Sequence, residues 1–466
     1  MRIFLRQFFR ERRRAILKLS IVLVLCAAFF AFAQEPADSA SFLNADPPRA
    51  LDADTLLARV DSIIVRGADI TDEDVILREL TFGVGDFLDS SLIAYNRERV
   101  YSLNIFTRVD LYVEKIGARY AAVVEVKESW YIWPAPYIHR VDNDWSKLSY
   151  GLDLMWYNFR GKKEKLHFRF GVGHDPMLNF TYTIPYILRE EAISANIALN
   201  YKSRANKSLR AEEAYGEQFD QDIRSVDLEV GKRFTLFQAA SLLGGFFYLE
   251  SERHVPGVNA SDDRIDRFGY LGALYNYDTR DLSQFPTSGV FLGLGAWWKG
   301  IGAEDVNYGS VVADARVYRE FFGFLIAKAR FRTRQTVGAE VPFYDYSFLG
   351  LSERVRGHYY DQREDRAAAN WAFEANVPLV RDFPFHIPIP FVTERLTTYR
   401  LKFYAHLFAD GGLTHNYDAT IEPGDVYSGF GAGVTLMVLP YNVLRFEVGF
   451  DEELNEEYIL DVGVSF

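Results

Sequence analysis

The chain has 466 residues, enough for two or three ordinary domains, or for one small domain and one large barrel. Aromatics make up 16% of it, with 28 Tyr and 38 Phe, an excess that suits a β-rich protein with girdles of aromatic side chains. The net charge of −12 excludes a phosphate-tracking nucleic-acid surface, and a single cysteine excludes a disulfide framework.

Residues 1–33 read as an export signal. Arg2, Arg6, Arg10, Arg12, Arg13, Arg14 and Lys18 form a basic start, Ile21 to Phe32 an apolar core, and Ala31-Phe32-Ala33 an A-x-A cleavage site. The alternative is an uncleaved anchor. Cleavage removes Cys26 and takes the formal charge from −12 to −18. Residues 34–56, rich in Ala, Asp and Pro, read as a flexible linker.

Residues 57–130 predict a compact β-α-α-β-β domain. Asp61 to Arg66 is a short strand, and Thr71 with Asp74 makes something close to a capping box for a first helix. A second helix starts near Asp89, with Leu92, Tyr95, Val100 and Leu103 at helical spacing. Two alternating strands follow, one through Val109, Leu111 and Val113, the other through Ala122, Val124 and Val126.

From residue 131 to the end, strand-like segments alternate with turns. We count sixteen, the first at 131–140, the twelfth and thirteenth at 369–378 and 399–410, the last at 458–466. No run after residue 33 approaches the ~18 apolar residues of a spanning helix, so membrane crossing requires a closed barrel. An even count returns both ends to one side, and loop lengths agree. Connections after odd strands include the long, polar 202–222, 252–263, 337–368 and 411–427, and those after even strands include the shorter 160–163, 279–288, 321–324 and 439–441. The exception is 379–398, long, apolar and rich in proline, which predicts not a central strand but a loop that either faces the membrane interface or a partner, or packs against the domain at 57–130.

Alternation assigns faces. Lys328, Arg330, Arg332 and Arg334 share one face of a strand, as do Asp314, Arg316 and Glu320 on the strand before it. On the lipid side each Lys or Arg would cost roughly 2–4 kcal/mol at mid-bilayer, so these residues point into a wet lumen. Glu374 and Asp410 fall on the same inner face of neighbouring strands. Just before them lies a polar loop carrying Val355-Arg356-Gly357-His358. An arginine above two inward carboxylates predicts a loop folded into the lumen and held by Glu374 and Asp410.

These residues resemble the BamA/TamA-type superfamily of outer-membrane assembly barrels (the bacterial surface antigen family). There a VRG(F/Y) loop enters the lumen and its arginine meets acids on the following strands. His358 departs from the aromatic fourth position, although Tyr359 and Tyr360 follow. Residues 57–130 resemble one POTRA domain, through Ile76-Leu77-Arg78-Glu79-Leu80, Gly85-Asp86, Ile105-Phe106-Thr107-Arg108-Val109 and Val126-Lys127-Glu128. Further matches are Asp278-Thr279-Arg280-Asp281 and Phe408-Ala409-Asp410-Gly411-Gly412. At the end, Tyr458, Leu460, Val462, Val464 and Phe466 resemble the terminal β-signal of such barrels.

The expected fold is thus a 16-stranded antiparallel transmembrane barrel at 131–466, preceded by one small α+β POTRA-like domain in the periplasm. The resemblance implies a factor that helps fold or insert outer-membrane proteins. Its partners would be the outer-membrane bilayer and unfolded clients or periplasmic proteins met through the POTRA-like domain. Pro134 and Pro136 in the first barrel segment fit either a weak seam with the last or the linker leaving the POTRA-like domain. The alternatives are a two-partner-type translocation pore and a structural or passive channel. No nucleophile elbow, P-loop, HExxH or metal-ligand cluster is present, so neither an enzyme nor a metal or cofactor site is expected.

Overall fold

A computed structural model describes residues 58–140, 147–188, 190–338, 340–350, 353–386, 398–417, 419–439 and 442–463. The leader at 1–33, the linker at 34–56, Val464 and Phe466 lie outside the described residues.

The N-terminal unit has a three-stranded sheet. Its middle strand, Arg119–Glu128, pairs in parallel with Ser62–Arg66 and antiparallel with Phe106–Ile116. The middle strand is the most apolar, and Ala121 to Val124 are all buried. Helices Glu73–Leu77 and Ser90–Tyr101 connect the first strand to the other two. Asp89 caps the longer helix by accepting from the Leu92 N–H at 2.7 Å. Thr71 does not cap the shorter one. Asp72 takes that position, while the Thr71 hydroxyl and N–H both donate to the Glu128 carboxylate at 2.7 Å. The Thr71 hydroxyl is thus turned as a donor to a buried carboxylate, a charge-assisted bond that draws it away from the helix N–H groups.

The large sheet has sixteen antiparallel strands in chain order. The first eight are β1 Ile132–Arg140, β2 Leu148–Phe159, β3 Glu164–Gly173, β4 Met177–Leu188, β5 Ile193–Ala205, β6 Asp220–Arg233, β7 Gln238–Ser251 and β8 Ile265–Asp278. Then follow β9 Gly289–Ile301, β10 Tyr308–Phe321, β11 Leu325–Gly338, β12 Ala367–His386, β13 Thr398–His415, β14 Tyr427–Leu439, β15 Asn442–Asp451 and β16 Glu456–Val462. Each strand pairs with its neighbour in sequence, and among the described residues no ladder joins β1 to β16.

Period-two alternation sorts the side chains. Leu242, Leu271, Leu407 and Phe446 lie on the exposed outer surface, as lipid-facing residues must. Asp314, Arg330, Asn370, Glu374, His406, Asp410 and Glu447 are buried on the opposite face. Long connections gather at one end, as the parity of the strand count requires. The β5–β6 loop there contains a helix, Leu209–Tyr215, that the sequence reading missed.

One expectation is overturned. The apolar stretch after residue 378 is not wholly a loop, because β12 runs on to His386 and pairs with β13 as far as Thr398. Register shifts between Pro378 and Val380, and between Val380 and Phe383, let the prolines sit beside a ladder that an unbroken register would refuse them. Residues 387–397 lie outside the described residues.

At the short-turn end the N-terminal unit docks on the barrel. Leu282 and Phe285 from the β8–β9 turn join Ile326, Tyr404, Met437 and Val443 in one apolar cluster with Val75, Ile76, Tyr101 and Phe106 of the unit. Phe285 and Tyr404 stack with centroids 4.3 Å apart. Polar contacts ring the cluster. Glu79 holds Arg233 at 2.8 Å, Glu98 holds Arg400 at 3.1 Å, and the Asp72 N–H donates to Gly161 O at 2.9 Å.

Candidate functional site

The β11–β12 connection leaves the wall as a short two-stranded arm, Ser347–Leu349 against Arg363–Asp365. The β5–β6 helix holds this arm from across the barrel. Ser208 Oγ donates to Glu364 at 2.9 Å, and Arg210 pairs with Asp365 at 3.0 Å. The tip of the arm carries residues 353–360 into the lumen.

Arg356 is 4% exposed. Its Nε and Nη2 donate to the two oxygens of Asp410 at 2.6 and 2.7 Å, a bidentate fork that lysine cannot make. Nη1 donates to Glu374 at 2.6 Å and to Glu447 at 2.8 Å. The Phe408 ring lies beneath the guanidinium, 3.9 Å away. Around this centre Lys328 approaches Glu374 at 3.8 Å, and Arg445 meets Glu447 at 3.3 Å. Three buried carboxylates therefore face three cations, which a dry lumen demands. Glu374, His406 and Glu447 bring metal-capable atoms within 4.8 Å of one another, but Nη1 of Arg356 already bridges both carboxylates.

The loop also meets the neighbouring stretch of wall, where β11 pairs with β12. Asp314 on β10 gathers Arg316, Arg330 and Arg332, and Glu353 at the arm tip pairs with Arg330 at 3.0 Å and Arg332 at 3.1 Å. The plug thus sends an acid to the basic wall and a base to the acidic one.

The backbone of the tip presses on β14 and β15. Gly357 has φ +98°, and a Cβ on Gly429 would lie 1.8 Å from the Arg356 carbonyl oxygen, so only glycine admits this approach. Glu457 on β16 accepts the N–H groups of Gly357 and Tyr359 at 3.1 Å. Val355 is buried beside Gly412 and Leu349. His358 stacks on Tyr427 at 4.0 Å, with Asp361 at 2.8 Å and Glu452 at 2.7 Å on its two ring nitrogens. Burial works against its charge, but the two carboxylates outweigh it and raise its pKa above the ordinary value.

The structure therefore brings Val355, Arg356, Gly357, His358, Glu374 and Asp410 into one site. Tyr458, Leu460 and Val462 lie away from it, exposed on the outer face of β16. Sequence reasoning missed Glu447, although the alternation of Val443, Arg445, Glu447 and Gly449 along β15 would have placed it inward. It also missed Glu353 and Glu457, of which Glu353 sits in the irregular tip, outside any periodic segment.

A model of the Omp85 superfamily domain matches residues 158–464. No curated protein sequence matches the chain. Among solved structures, BamA from Haemophilus ducreyi lacking POTRA domains 1–3 aligns at 16% identity and TM-score 0.50, over 87% of this chain and 84% of that one. CdiB from Escherichia coli aligns at 12% identity and TM-score 0.47, over 97% of each chain. CdiB from Acinetobacter baumannii aligns at 11% and 0.44, over 87% and 73%. The BamA likeness establishes the fold.

Proposed function

The chain belongs to the Omp85 superfamily, and on that premise we propose that this outer-membrane barrel helps fold or insert other outer-membrane proteins at its own seam. The N-terminal unit is read as a POTRA domain in the periplasm, which puts the long loops and the arm outside. The observation that carries the reading is that, among the described residues, no ladder joins β1 to β16. A terminal strand with an unpaired edge can template an incoming strand, and Pro134 and Pro136 deprive β1 of two donors. Leu460 and Val462 on β16 are 76% and 67% exposed, an apolar edge that would meet lipid or a client strand.

The plugged lumen favours work at the wall over passage through the pore. The arm fills part of the lumen from the long-loop side, and the N-terminal unit docks at the other mouth. A passive channel needs neither obstruction, and an export pore needs both withdrawn.

Depletion of the protein followed by a census of outer-membrane barrels tests the reading. Loss of many barrels is expected. An unchanged census, or loss of one secreted client alone, would move the assignment to a structural or an export role. Planar-bilayer recordings provide a second check. The wild type should show no large stable pore, and Arg356→Ala should conduct more often.

A further inference from the structure

We propose that the long-loop half of the lumen holds a binding site for an extended acidic peptide segment, built on Lys202, Arg204 and Lys207. A cavity of about 960 Å³ lies there between the wall and the plug arm. Seven of its lining residues are Lys or Arg and two are carboxylates, in a chain of net charge −12.

Four of the seven are engaged within the protein. Lys299 and Arg334 hold Asp345 at 2.6 and 2.7 Å, Arg332 reaches Glu353 at 3.1 Å, and Arg354 covers the Tyr359 ring at 4.0 Å. The second acid, Asp227, is taken up by Tyr270, Asn200 and Ser225. Lys202, Arg204 and Lys207 are different. Among the described residues their side chains have neither an ion pair nor a hydrogen bond. Asp175, whose field reaches Arg204 and Lys207, is instead held by His174 at 2.5 Å. Other barrel cations meet carboxylates, as Arg169 meets Asp153, Arg233 meets Glu79 and Arg400 meets Glu98, or lie over aromatic rings, as Arg224 does over Tyr201 and Tyr248. Crowded like charges in a partly desolvated lumen repel one another, so a trio unmatched among the described residues points to an anion brought from outside.

The layout selects the kind of anion. Lys202 and Arg204 are two apart on one strand face, about 7 Å, which is also the repeat of alternate side chains in an extended peptide. The three cations follow one another along a strand into a loop, a linear series in the chain that suits an extended segment better than one small ion. Phe247, Tyr270 and Trp297 line the same cavity and offer aromatic surface to the intervening side chains. Lys207 and Arg354 are exposed, so the cavity opens to solvent at the long-loop end. The site is independent of whether the barrel assembles or exports proteins.

The test uses the full chain in lipid nanodiscs and fluorescence anisotropy of a labelled peptide of about ten alternating Glu and Thr residues, long enough to span all three cations. Saturable, salt-weakened binding is expected. The Lys202→Gln/Arg204→Gln/Lys207→Gln variant should bind at least about tenfold more weakly, with a melting temperature unchanged or raised because the repulsion is gone. Lys207→Gln alone, at an exposed position, should lose about threefold. Removal of two remote charges in Lys115→Gln/Arg119→Gln should change nothing. Equal binding by the triple variant, or of a Gln/Thr peptide, would overturn the site. Displacement by inorganic phosphate where chloride of equal ionic strength fails would reassign it to small anions and overturn the peptide. Lost binding together with a melting drop of several degrees would assign the cluster to the fold and end the proposal.

Discussion

Arg356 shows why one side chain can control a lumen. Its five donors face three carboxylates from β12, β13 and β15, all deprived of water. Arg356→Ala leaves Asp410 buried without its cation and three acids facing only Lys328 and Arg445, and a loss of about 3–5 kcal/mol in barrel stability is expected, read as a lower transition in heat-dependent gel mobility. Arg356→Lys should recover less than half of that loss, because an ammonium cannot reproduce the fork. Gly429→Ala should also dislodge the loop, since its methyl would occupy the place of the Arg356 carbonyl; accelerated proteolysis of residues 353–360 would report it. His358 adds a pH dependence. Its pKa is raised in the fold, so its contribution is complete below the ordinary imidazole value and fades as pH rises through the folded one. Loop protection from protease should therefore fall as pH rises past the ordinary imidazole value of about 6.5 in the wild type and stay flat in His358→Phe. Arg356, Glu374 and Asp410 were legible because strand alternation places the two acids below a loop arginine. Glu447 needed only one more strand of the same reasoning. Glu353 had no periodic neighbour to orient it.

At the scale of elements, two outcomes differ from what periodicity alone gives. Proline argued against a strand beyond residue 378, yet β12 continues to His386, because register shifts absorb the missing donors. A propensity argument does not see a bulge, which depends on the partner strand. The longer N-terminal helix has a second task, since it seats Glu98 against Arg400 and Lys402. Burial opposes the charge on Glu98 and on Glu79, but Lys402 with Arg400 and Arg233 respectively outweigh it and bring each carboxyl down to about 2. A depressed carboxylate stabilises the docked form above its ordinary pKa and loses that contribution as pH falls toward the folded value. Docking should thus hold at neutral pH and fail between about pH 4.5 and pH 2, measured by crosslinking the unit to the β8–β9 turn. Glu98→Gln should weaken docking by about 1–3 kcal/mol at neutral pH and remove part of that acid sensitivity.

For the whole molecule, strand number and loop parity were readable because sixteen short alternating segments repeat one rule. The docking of the N-terminal unit was not, because its contacts join residues as far apart as Glu98 and Arg400, and no local pattern encodes such a meeting. The shared apolar cluster makes the two units cooperative, so calorimetry should show one main transition and not two. The seam predicts a gradient of local stability. Amide hydrogens of β16 should exchange faster than those of β7 to β9, which are paired on both sides; equal protection would argue for a closed wall. The order of the chain also carries a consequence in time. Arg356 emerges during synthesis before Glu374, Asp410, Glu447 and Glu457, so its guanidinium has nowhere to rest until the last strands arrive. Seating it is a late event, and an unfinished wall would leave the arm hanging free, a visible mark of incompleteness written into the sequence itself.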